Sequence, residues 1–185
     1  MRFVYNERKA AQASAYLLAR HDGKLSYMVL LKLLYFADRR ALVETGTPIT
    51  GDRWVSMSYG PVLSRVLGTI NLGKSEPTTP WYEYISEPHD YDVELVGEAL
   101  DPDELSRYEL RVLDEIDERY GNLDKWALVE LTHLLPEWTD PEGSSLPIDP
   151  ADVLRKEGKP EVEIARITRD AEEAWLLDLL NRQST

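Results

Sequence analysis

Lys32-Leu33-Leu34-Tyr35-Phe36-Ala37-Asp38-Arg39, followed by Pro48-Ile49-Thr50-Gly51-Asp52, Trp54 and Tyr59-Gly60-Pro61-Val62, decides how this chain folds. It joins a helix to a Gly/Pro-punctuated turn and a short aromatic strand. Ser26 predicts the helix start and Gly46 its end, so the helix spans Tyr27 to about Thr45. Met28, Leu30, Leu31, Leu33, Leu34, Phe36, Ala37, Ala41 and Leu42 cover most of its circumference, the pattern of a central buried helix. Pro48 blocks its continuation, and Thr50-Gly51-Asp52 reads as a turn. Trp54, Met57 and Tyr59 fall among polar residues in an extended segment. Gly60-Pro61 ends that segment, and Pro61 suits the first position of a third helix, through about Leu72.

Outward from this centre, Asn6 predicts the cap of a first helix that runs to about His21 and stops at Gly23. Ala10, Ala13, Tyr16 and Leu17 form its apolar stripe. Lys74 to Pro80 is a polar loop, and Trp81 to Val96 reads as a hairpin turning near Pro88-His89-Asp90. Asp101-Pro102-Asp103-Glu104 predicts the start of a helix that ends at Gly121. Asn122 predicts the cap of the next, which Pro136 stops. Pro141 to Leu146 reads as a loop, and Asp149-Pro150 opens a short helix ending at Gly158. Pro160 precedes a last helix to about Arg182, with Ile164, Ile167, Trp175, Leu176, Leu179 and Leu180 as its apolar face. The expected fold is mainly α: a compact single-domain helical bundle over residues 1–185 with a small antiparallel β element.

At 185 residues, 43% hydrophobic and 30% charged, the composition is that of a folded globular chain. No apolar run reaches the roughly 18 residues of a membrane span, and the N-terminus has no apolar signal core. The cytoplasm is the expected compartment and no membrane partner is expected. With no cysteine, disulfides, thiolate nucleophiles and Cys-ligated zinc are excluded together. Charge is uneven: residues 1–40 balance to +5, residues 41–80 to zero and residues 81–185 to −18, within a net −13. Such a surface repels phosphate backbones and attracts a basic partner. Its plainer use is solubility.

The three histidines, His21, His89 and His133, lack the spacing of a metal site. His133 lies near Glu137, with Pro136 intervening. No nucleophile elbow, Walker loop, dinucleotide fingerprint or zinc-protease motif occurs. Acid pairs such as Asp114/Glu118 are abundant, as expected of solvated helix faces, so no catalytic residue, cofactor or metal is assigned. The first two helices have the order of a helix-turn-helix, and Arg8, Lys9 and Arg20 make the first one basic. The second, however, opens with Met28-Val29-Leu30-Leu31, which demand a core rather than a DNA groove. No nucleic-acid partner is expected.

Lys32, Tyr35 and Arg39 share one helix face at spacings of four and three. Asp38 and Arg39 are expected near the turn that holds Asp52 and Arg53, with Asp38 or Asp52 pairing to Arg39. These residues, with Gly51, Trp54, Tyr59, Gly60 and Pro61, form either a structural polar network or a partner-binding groove. Trp54 and Tyr59 are equally open to core or interface roles.

The motifs quoted above, together with Leu131-Thr132-His133 and Pro136-Glu137-Trp138, resemble the Panacea domain of SocA-like antitoxins, a family that includes phage-associated GepA-type proteins. The resemblance implies a bacterial or phage antitoxin that neutralises a protein toxin, commonly encoded by an adjacent gene, through direct binding. It also implies, for SocA-like proteins, a role as adaptor to a AAA+ protease. Some members carry an extra DNA-binding region, and none is expected here ahead of the motif. The alternative reading is a phage-associated regulatory protein or an enzyme with an unrecognised carboxylate site.

Overall fold

The structure, a computed structural model, describes residues 1–73, 79–97 and 102–183. Eight helices are described: α1 (Glu7–Ala19), α2 (Tyr27–Thr45), α3 (Ser64–Leu72), α4 (Trp81–Tyr84), α5 (Arg107–Tyr120), α6 (Lys125–His133), α7 (Pro150–Lys156) and α8 (Glu161–Gln183). Five short strands accompany them: β1 (Lys24–Ser26), β2 (Trp54–Met57), β3 (Gly60–Leu63), β4 (Asp92–Glu94) and β5 (Leu146–Ile148). The fold is mainly α with small antiparallel sheets, as the sequence predicts.

Helix α2 is the core. It contacts α1, α3, α5, α6, α7, β1 and β3, and its buried positions run from Val29 to Leu42. Its apolar positions cover most of the circumference, and of its residues only Glu44 and Thr45 at the C-terminal end are exposed, so neighbours must cover it from several directions. Helix α1 approaches through small residues: Ala10, Ala11, Ala13 and Ala15 are fully buried. The Asn6 side chain accepts from Lys9 N at 2.9 Å, capping α1 as predicted. Tyr16 and Arg20 then reach α5, where Asp114 accepts from both and Asp117 accepts from Arg20 and faces His21 at 2.6 Å. Asp114 and Asp117 thus bridge helices; they are not merely solvated acids.

Several boundaries differ from expectation. Pro61 does not open a helix. It lies in β3, an edge strand of the sheet ordered β3-β2-β5, where a missing N–H costs no ladder bond. Helix α3 begins at Ser64 instead. Trp81 to Tyr84 is helical rather than a hairpin strand, because Trp81 is drawn fully into the core beside α1. The strand after the turn, β4, pairs with β1, aligning Lys24 with Glu94. Helix α5 starts at Arg107 under a Ser106/Glu109 capping box, not at Asp101-Pro102; Asp101 lies outside the described residues. Asp124, not Asn122, caps α6. Leu146, the last residue of the expected loop, begins β5 (Leu146–Ile148), which pairs with β2, with Trp54 opposite Ile148. Lys74 to Thr78 of the expected loop also lie outside the described residues.

In α8, Ile164, Ile167 and Ala171 are buried, whereas Leu176, Leu179 and Leu180 are exposed, so the predicted apolar face is only half used. Among the described residues, no helix is long and apolar enough to cross a membrane.

Candidate functional site

The polar residues of α2 spread into three anchors, each holding a different segment. Asp38, fully buried, accepts from Thr50 N at 2.8 Å, from Thr50 Oγ1 at 2.6 Å and from Trp54 Nε1 at 3.4 Å. Burial pushes its carboxyl up to about 7, against the Thr50 and Trp54 hydrogen bonds that favour the ionised form. Trp54 is core, with its ring edge-on to Tyr35 at 5.3 Å.

Arg39 pairs with neither Asp38 nor Asp52. Its Nε donates to Glu137 Oε1 at 2.7 Å, and its second arm reaches Glu157. Tyr35 donates to the same Glu137 oxygen at 2.8 Å. Glu137 lies 98 residues beyond Arg39, so helix spacing alone does not reveal the pair. Asp52 serves α3 instead: its carboxylate accepts from the N–H groups of Arg65 and Val66, each at 3.0 Å. These are the orphan donors of a helix start, and the negative charge suits the positive end of the helix. Asp52 also accepts from its neighbour Arg53 N at 2.6 Å.

The third anchor is Lys32. Its Nζ donates to Pro61 O at 2.9 Å, and the residue is 1% exposed. Burial lowers its amine from an ordinary value of 10.5 to about 7. Gly60 makes this approach possible. Its φ is +88°, and a Cβ there would lie 2.3 Å from Thr132 Oγ1 and 2.9 Å from Lys32 Nζ. Gly51 is similarly constrained, with φ +70° and a Cβ that would lie 2.0 Å from the Val4 carbonyl oxygen.

The structure therefore joins Lys32 to Gly60-Pro61, Tyr35 and Arg39 to Glu137, and Asp38 to Thr50 and Trp54. Thr132 packs on Gly60, and Trp138 Nε1 donates to Met57 O at 3.1 Å. His133 stacks on Trp138 at 3.9 Å rather than meeting Glu137, and its Nε2 is buried without a hydrogen-bond partner among the described residues. These contacts tie α2 and the β2–β3 hairpin to the segment that follows α6.

Tyr59 points the other way. It is 56% exposed and meets Trp126, itself 52% exposed, edge-on at 5.7 Å. Lys125 lies over the Trp126 ring at 5.3 Å. Across the opening, Tyr27 and Tyr91 sit 6.1 Å apart. Together they rim a cleft of about 600 Å³ whose walls include Met28, Leu31, Lys32, Met57, Gly60 and Leu67. Tyr59, Lys32 and Gly60 were singled out by the sequence. Lys125, Tyr91 and Trp126 were not. The position of Trp126 at the second residue of α6, ahead of buried Leu128, Val129 and Thr132, is the signal that separates it from that core.

Among the described residues, no group of three or more His, Asp or Glu is placed to hold a metal ion. The arrangement offers aromatic surface and lysine charge for binding. Comparison with curated proteins and with solved structures yields no match. A family model described as antitoxin SocA-like, Panacea domain, matches residues 30–139. That span takes in α2, the β2–β3 hairpin, Thr132 and Glu137, and with it the chain belongs to the SocA-like Panacea antitoxin family.

Proposed function

We propose that this protein is an antitoxin that neutralises a cognate protein toxin by direct contact, and that the Tyr59–Trp126 cleft is the contact face. The observation that carries this reading is the exposed aromatic pair, both members within the family-matched span. Large aromatics left in solvent beside a concave wall are costly for a monomer and dominate energy at protein interfaces. The buried motif residues have a different part: Lys32, Asp38 and Asp52 hold the hairpin and α3 that shape the cleft, and Arg39 holds Glu137 in the segment after α6. In this reading, Tyr35, Gly51, Trp54, Gly60 and Pro61 are scaffold, and Tyr59 is a contact residue. The toxin is expected from an adjacent gene and acts in the cytoplasm. The test is co-expression: this chain should rescue growth from the neighbouring product and co-purify with it, whereas a harmless neighbour that does not bind would remove the basis of the reading.

A further inference from the structure

The Tyr59–Trp126 cleft differs in charge from three other concavities among the described residues. One, between the N-terminal segment and α8, sets Lys9 and Arg166 against Glu109 and Asp170. Another, beside Trp54, sets Arg2, Arg53 and Arg65 against Asp52, Asp149 and Asp152. The shallow surface along α7 and α8 mixes Arg155 and Arg169 with Glu161, Glu172 and Glu173. The Tyr59–Trp126 cleft has Lys32 and Lys125 and no carboxylate among its described lining residues. It sits in a chain with 34 acidic and 21 basic residues.

Two of the acids adjacent in sequence to the rim are turned to other work. Asp124, beside Lys125, accepts from Trp126 N at 2.8 Å and Ala127 N at 3.1 Å. Asp92, beside Tyr91, pairs with Lys24. Lys32 Nζ, at the buried end of the lining, donates to Pro61 O and belongs to the scaffold. Lys125, exposed and with no carboxylate among the described lining residues to face it, stands beside Tyr, Trp, Met and Leu walls and matches a ligand that is apolar with an isolated negative charge. Phosphate backbones carry charge in continuous rows, which a chain of net charge −13 repels.

We infer that the cleft takes a segment of the partner protein in which one Asp or Glu is flanked by apolar side chains, the carboxylate drawn to Lys125 and the flanks lying on Tyr59, Trp126 and Met57. This rests on the reading that the cleft is the toxin-contact face, and it specifies what the partner must present there.

Short random peptides displayed on phage, selected against the full chain, test it. Enriched peptides should carry an acid within an apolar run. In fluorescence anisotropy with the synthetic peptide, changing its acid to the amide should weaken binding by roughly tenfold. Lys125→Glu in the protein should weaken it by at least as much, with an unchanged melting temperature. Enrichment of neutral or basic peptides, no enrichment, or affinity that survives the amide change and Lys125→Glu would overturn the inference. So would self-association of the chain that Lys125→Glu abolishes, which would make a second copy the occupant. Growth rescue separates the two levels. If Lys125→Glu rescues as well as wild type, the antitoxin reading stands and this inference falls. If acidic peptides bind the cleft but wild type rescues nothing, the reverse holds.

Discussion

Replacing Lys32 with Met should remove a pH dependence from the stability of this protein. In the folded state, burial lowers the Lys32 amine to about 7 from its ordinary 10.5. Between those two values the unfolded chain binds a proton at Lys32 that the folded chain does not. Stability therefore rises with pH across that window, by about 1.4 kcal/mol per pH unit once the folded amine is neutral. From about pH 7 to about pH 9 the integrated gain is about 2 kcal/mol, since at the lower limit half of the folded molecules still hold the proton. Burial is the cause of the shift, with no neighbouring charge contributing, so a neutral side chain of similar length should abolish it. Met also loses the hydrogen bond to Pro61 O, which lowers stability by about 1 kcal/mol equally at each pH. Urea unfolding of both proteins across this range isolates the Lys32 contribution, because every other titrating group cancels in the difference. The wild-type advantage should grow by about 2 kcal/mol from the lower pH to the upper. Parallel curves would refute the argument and show that the amine keeps its proton in the core.

Three further outcomes follow from the anchors. Gly60→Val should cost about 3–5 kcal/mol, because it adds a side chain at φ +88° and overlaps Thr132; Thr132→Ala should recover part of that loss in thermal unfolding, and no recovery would place the strain elsewhere. Arg39→Ala leaves the Glu137 carboxylate buried and should cost about 3 kcal/mol, whereas Glu157→Ala, at the exposed end of the same guanidinium, should cost under about 1 kcal/mol. A folded Arg39→Ala with wild-type melting temperature and no toxin rescue would instead make Arg39 a contact residue. A gel shift on its own promoter, at about 100 mM salt, should show no sequence-specific complex, because the net charge is −13 and α2 is buried; nanomolar binding would overturn this.

Local signals in the sequence located what local physics determines. The all-apolar circumference of α2 marked the core helix, and Asn6, Gly46, Gly121 and Asp149-Pro150 marked helix limits through capping and turn chemistry. Pairings between distant segments were not legible. Strands β1 and β5 are three residues each and depend on partners far along the chain, so no alternation of their own identifies them; β4 falls within the expected hairpin, but its pairing with β1 is set by the fold. The Trp81 segment was misread for the same reason: its aromatic run fits a strand, but burial against α1 makes it a turn of helix. Arg39 needs an acid, but its partner is Glu137, 98 residues away, rather than Asp38 or Asp52, the acids nearer in sequence. The cleft was half legible. Tyr59 and Gly60 stood out beside a proline, whereas Trp126 and Lys125 join them only because Thr132 of α6 packs on Gly60 and brings the start of that helix alongside.

The most direct measurement of the central claim is growth rescue by a Tyr59→Ala/Trp126→Ala variant co-expressed with the adjacent gene product. Both side chains are exposed, so the variant should keep the wild-type circular dichroism spectrum and melt within a few degrees of it. The account predicts that it loses rescue and no longer co-purifies with the toxin. A folded double variant that rescues and binds as wild type does would contradict the assignment of this cleft as the toxin-contact face.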